Sequence, residues 1–81
     1  MEFKQLLKIV GKNIKELREN NKLSQKTFSI IISVDKSFFI KVENGKTNLS
    51  IGYLKKVAKG LKVPTSNLFK LKNKFTIKSV S

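Results

Sequence analysis

The sequence predicts a small all-α domain of five helices, and two observations carry that expectation. Apolar residues recur at three- and four-residue steps along most of the first 70 positions, the spacing that lines up one face of an α-helix. Residues with capping chemistry, Ser24, Asp35 and Ser50, stand directly ahead of three of these stretches, while Asn20-Asn21, Asn44-Gly45 and Val63-Pro64 interrupt or close them. At 81 residues the chain is one domain, near the size where a single core is only marginally adequate. Helical packing or oligomerisation must then supply much of the stability.

Residues 1–22 read as the first helix. Phe3, Leu6, Leu7, Val10, Ile14 and Leu17 form its apolar stripe, with Lys4, Lys8, Lys12 and Lys15 largely off it. Gly11 interrupts the stripe at a cost of about 1 kcal/mol relative to Ala, which marks the segment before it as a candidate separate or mobile turn. Ser24 can cap a second helix of about two turns, running to Ile32, in which Phe28 and Ile32 share a face. Ser33-Val34 breaks it. Asp35 is then a strong N-cap, its carboxylate suited to the positive end of a third helix that begins at Lys36. Phe39 and Val42 face the core in that helix, leaving Lys36, Ser37, Ile40 and Lys41 outward, and Asn44-Gly45 ends it. Ser50 caps a fourth helix with Ile51, Leu54, Val57, Ala58 and Leu61 on its stripe, lysines on its wet side, and Gly60 weakening it slightly. Val63-Pro64 stops it, and Thr65 to Phe69 is a short fifth helix returning Leu68 and Phe69 to the core. These elements place a domain over residues 1–70. Residues 71–81 form a C-terminal tail in which Phe75, Ile77 and Val80 read either as weak strand-like alternation or as basic disorder.

Helices two and three are too short to stand alone in water, so they must be held by the rest of the domain. A tight turn joining them, and an exposed second member carrying lysines at its start and middle, is geometry that fits the major groove of DNA. The chain is therefore read as an all-α, compact five-helix DNA-binding domain with a helix-turn-helix formed by helices 2 and 3.

The residues that carry this reading also carry a resemblance. Leu23-Ser24-Gln25, Phe28, Ser29, Val34, Phe39, Val42 and Glu43-Asn44-Gly45-Lys46 together resemble the DNA-binding domains of the lambdoid phage repressors and Cro proteins, in the wider family that includes the controller proteins of restriction–modification systems. The likeness covers roughly residues 10 to 70. It departs at Ser29, where the family usually has Ala, at Ser33, where it usually has Gly, and at Ile30, Ile31, Phe38 and Ile40, where it mostly carries polar residues. The resemblance implies that Arg18, the one arginine of the chain, forms a partly buried ion pair with Glu43; a planar guanidinium suits that bidentate role better than lysine.

Composition agrees with a polyanion as partner. The formal net charge is +13, from eighteen basic residues against five acidic ones. Part of that excess reflects the Lys, Ile, Asn and Phe bias that an AT-rich genome imposes. Cysteine and histidine are absent, so disulfides and thiolate or imidazole metal sites are excluded. The five carboxylates each have a capping, surface or ion-pair explanation, so no enzyme, no cofactor, no metal site and no small-molecule ligand are expected. No apolar run approaches a membrane span and the start lacks a signal-peptide pattern, which makes a cytoplasmic protein without membrane association the expectation.

The position of the third helix, with the matching positions of the resembling family, assigns Lys36, Ser37, Phe38 and Lys41 to base edges. Lysine donates to the O6 and N7 acceptors of guanine and serine is permissive, while Phe38 and Ile40 either pack on thymine methyl groups or extend the core or a protein contact. Phosphate positioning falls to Gln25, Asn44, Lys46 and Asn48. One such motif reads only a few base pairs, so a homodimer on an inverted-repeat operator is expected. Ile51, Tyr53, Phe69 and Leu71 are candidates for its interface, with Ile30 and Ile31 as alternatives. The expected function is transcription regulation on double-stranded DNA, autoregulatory in the manner of phage repressors or restriction–modification controllers, by blocking or recruiting RNA polymerase. The alternative is an antitoxin-like interaction module that binds another polypeptide through Ile30, Ile31, Phe75 and Ile77.

Overall fold

A computed structural model describes residues 2–71, so the expected tail at 71–81 lies, apart from Leu71, outside the described residues. Four α-helices follow one another: α1 (Phe3–Asn20), α2 (Gln25–Ile31), α3 (Lys36–Glu43) and α4 (Ile51–Leu61). The fifth element is a 3₁₀ helix, Thr65–Phe69, so the count is four α-helices and not five. Pro64 fixes the entry to it, and the five residues that follow have room only for tighter bonding, as in the 2.9 Å hydrogen bond from the Asn67 N–H to the Pro64 carbonyl. Among the described residues there is no strand.

Each capping residue does what its chemistry allows. Ser24 Oγ accepts from the Thr27 N–H at 3.0 Å, Asp35 Oδ2 from the Phe38 N–H at 2.9 Å, and Ser50 Oγ from the Tyr53 N–H at 3.0 Å. The turn between α2 and α3 is closed by the Val34 N–H donating to the Ser29 carbonyl at 2.9 Å, and it places Ser33 at φ +58. Ser29 is buried where α2 packs against its neighbours, and its hydroxyl is satisfied by donating to the Lys26 carbonyl at 2.9 Å.

Gly11 does not divide α1. The helix runs unbroken through it, and the glycine is buried because α3 ends against it: a Cβ there would stand 2.5 Å from the Val42 carbonyl oxygen and 2.6 Å from that of Glu43. The propensity lost at Gly11 is offset by a close approach that no other residue permits.

Val10, Ile14, Phe28, Ile32, Phe39, Val42, Leu54, Val57, Ala58, Leu61 and Leu68 form one core, with the Phe28 and Phe39 rings 5.4 Å apart at its centre. Three positions depart from the expected stripes, the first being Phe3, which is 58 % exposed at the start of α1. Ile51, the first residue of α4, is 68 % exposed, and Phe69 stays exposed while its neighbour Leu68 is fully buried. Asn13, a polar residue on the apolar side of α1, is buried and donates both amide hydrogens, to the Leu68 carbonyl at 2.9 Å and the Lys70 carbonyl at 2.8 Å. It fastens the end of the 3₁₀ helix to α1.

Candidate nucleic-acid interface

The third helix presents its first turn to solvent. Lys36 and Ser37 are exposed there, Lys41 is exposed one turn on, and Ile40 is half-buried. Phe38, 36 % exposed, is neither free nor in the core: its ring meets Tyr53 of α4 edge-on, with centroids 5.3 Å apart and planes at 70°.

The far end of α3 is locked to the rest of the domain through Glu43. Arg18 Nε donates to Glu43 Oε2 at 2.7 Å and Arg18 Nη2 to Oε1 at 3.0 Å, a two-pronged pair with both side chains almost fully buried. The remaining prong, Nη1, donates to the Leu23 carbonyl at 2.6 Å. Gln25 Nε2 donates to Glu43 Oε1 at 2.9 Å. The Arg18–Glu43 pair thus gathers α1, the α1–α2 turn, the start of α2 and the end of α3, and fixes the angle at which α3 is offered outward. The ion pair was legible in the sequence through the family resemblance; the amide of Gln25 as its third partner was not, because a glutamine behind a serine cap reads equally well as a surface residue.

Asn44, Lys46 and Asn48 are exposed along the loop that leaves α3. Gly45 turns the chain there at φ +68, and the Lys46 N–H closes back on the Lys41 carbonyl at 2.9 Å. The loop stands across an open groove of about 380 Å³ from Phe3, Lys4, Leu7 and Lys8, so Lys4 and Lys8 of α1 add positive charge beside Lys46. Gln25, Asn44, Lys46 and Asn48 therefore flank both ends of the helix-turn-helix unit, with the Gln25 side-chain amide turned inward and the other three facing solvent.

The interface candidates divide. Ile51, Phe69 and Leu71 are exposed, as are Ile30 and Ile31 at the end of α2. Tyr53 is half-buried against Phe38, and its hydroxyl is enclosed without a hydrogen-bond partner among the described residues. Burial, reinforced by the carboxylates of Asp35 and Glu43, pushes the phenol up to about 12. Among the described residues no cluster of metal-ligating side chains occurs, and no helix is long and apolar enough to cross a membrane.

Comparison with known proteins agrees with this geometry. The family described as "Helix-turn-helix domain" matches residues 11–74. The control protein C.MunI of a Mycoplasma species is 40 % identical over 60 residues, covering 73 % of this chain and 81 % of that protein. The restriction–modification controller protein C.AhdI from Aeromonas hydrophila, known from a crystal structure, superposes with a TM-score of 0.75 at 33 % identity, over 78 % of this chain and 96 % of that one. A hypothetical transcription factor from Neisseria shares the fold at 22 % identity, with a TM-score of 0.81 over 98 % of this chain and 90 % of that one.

Proposed function

Because the chain belongs to the helix-turn-helix family of DNA-binding transcription regulators that includes the restriction–modification controller proteins, we propose that it is a sequence-specific regulator that binds an inverted-repeat operator as a homodimer and controls its own expression. The observation that carries the reading is α3: a capped helix with Lys36, Ser37 and Lys41 exposed, and its other end immobilised through Glu43 and Arg18. A reading element needs its donors outward and its axis fixed, since misplacement of either forfeits hydrogen bonds to base edges.

In this reading α3 enters the major groove. Lys36 and Lys41 donate to guanine O6 and N7, Ser37 takes a donor or acceptor as offered, and the exposed part of the Phe38 ring packs on a thymine methyl group. Asn44, Lys46 and Asn48 hold the backbone on one side, and Gln25 contributes through its backbone N–H at the start of α2, its side-chain amide being engaged with Glu43. Ile51, Phe69 and Leu71 supply apolar surface for the symmetry mate. Occupancy then blocks RNA polymerase or recruits it.

Two classes of substitution test the assignment. Alanine at Lys46 weakens binding about equally on all sequences and lowers the salt slope by roughly one, whereas alanine at Lys36 or Lys41 also relaxes base preference. Full discrimination by Lys36→Ala removes this face as the reading surface.

A further inference from the structure

We propose that Tyr53, on α4 and away from the base-reading positions, is a specificity-determining positioning residue: its ring holds the Phe38 ring in the one orientation that reads a base. The inference rests on the assignment of Phe38 to a thymine methyl group given above.

The argument begins with Phe38 itself. It is the third residue of α3, its N–H tied to Asp35 at 2.9 Å, and its ring remains more than one-third exposed. An aromatic ring so placed on a helix surface has more than one rotamer open to it, and freezing one on binding costs affinity without adding discrimination. Here the choice is already made. The edge-on contact with Tyr53, at 5.3 Å and 70°, leaves one side of the Phe38 ring against α4 and the other to solvent.

Tyr53 is equipped to act as the fixed partner. It lies in the first turn of α4, where its N–H is held by Ser50 Oγ at 3.0 Å, and its side chain packs against the hydrophobic core. Its hydroxyl is enclosed and has no hydrogen-bond partner among the described residues, so the group that contributes is the ring and not the oxygen. A surface tyrosine selected for its own hydrogen bonding would turn that oxygen outward. The contact also bridges α3 and α4, so the first turn of α4, which carries the exposed Ile51, is coupled to the orientation of a base-reading side chain.

The test compares base enrichment, position by position, after selection of a random duplex DNA library by the wild-type protein and by Phe38→Ala, Tyr53→Phe, Tyr53→Leu, Tyr53→Met and Phe38→Ala/Tyr53→Leu. Phe38→Ala is expected to reduce thymine enrichment at one half-site position by about fivefold or more. Tyr53→Leu and Tyr53→Met are expected to lose most of that same enrichment, at that position alone, while Tyr53→Phe keeps it. The double variant is expected to be no worse than Phe38→Ala, as for two residues acting through one contact. Proton–proton contacts between the two rings, observed by NMR in the complex of the unsubstituted chain with the selected duplex, are expected to persist and do not depend on any variant folding. If Phe38→Ala changes no position, the Phe38 assignment fails and takes the inference with it. If Phe38→Ala acts but Tyr53→Leu and Tyr53→Met keep the preference, or the effects add, or the ring contacts vanish on DNA, the Phe38 assignment stands and the role of Tyr53 is overturned.

Discussion

Glu43 shows how a buried charge is made tolerable, since its carboxylate receives two hydrogen bonds from Arg18 and one from Gln25. Removing either charge strands the other in the interior, so Arg18→Ala and Glu43→Ala are each expected to cost about 3 kcal/mol in urea unfolding. The double variant should cost clearly less than the sum, and additive effects would show that the pair is not coupled. Tyr53 gives a second residue-level prediction, from the opposite situation of a neutral group kept neutral. Its phenol, pushed from 10.0 up to about 12, retains its proton in the folded chain where the unfolded chain has lost it. The associated stability is fully present below pH 10 and is lost as pH rises through about 12, so unfolding free energy should fall across that window. Tyr53→Phe should remove that part of the slope. Tyr53 is the single tyrosine of the chain, so near-ultraviolet phenolate absorbance follows it directly.

The elements separate into those whose signals are local and those fixed by a neighbour. Ser24, Asp35 and Ser50 cap their helices as side-chain chemistry alone predicts, and the apolar stripes of α1, α2 and α3 deliver Ile14, Phe28 and Phe39 to the core. Gly11 reads locally as a break in α1, whereas its cause lies some thirty positions away in sequence, in the carbonyls at the end of α3 that press against it. Asn13 left a signal, a polar residue on an apolar face, but its partners Leu68 and Lys70 are known only from the fold. The Phe38–Tyr53 contact left none, since neither periodicity nor capping relates α3 to α4. Two substitutions express the contrast. Gly11→Ala, favourable by about 1 kcal/mol on helix propensity, should instead destabilise by about 2 kcal/mol because the added carbon meets backbone oxygens. Ser33→Gly, in the left-handed turn between α2 and α3, should raise stability by about 1 kcal/mol. Thermal unfolding of the two variants reads both, and a stabilised Gly11→Ala would contradict the close approach of α1 and α3.

At the scale of the whole molecule, function follows from what is rigid and what is left outward. A core of eleven buried side chains, closed by the 3₁₀ helix and the Asn13 clamp, holds α1 to α4 as one body, and the ion pair sets α3 within it. The outward surface is strongly basic, at a net charge of +13 for the chain, so affinity for any duplex should fall steeply with salt. Charge alone gives no sequence preference; in the proposed function that comes from α3 and from two copies read in register. Ile51, Phe69 and Leu71 leave exposed apolar surface that the proposed second copy would cover, and such a dimer would double the few base pairs one α3 would reach. The measurement that tests this account most directly is selection from a random duplex DNA library at physiological salt, with sequencing of what the purified protein retains. The account predicts enrichment of an inverted repeat whose half-sites lie about 10 base pairs apart. Retention of DNA without enrichment would contradict it, leaving the lysines as a general polyanion-binding surface and α3 without a reading role.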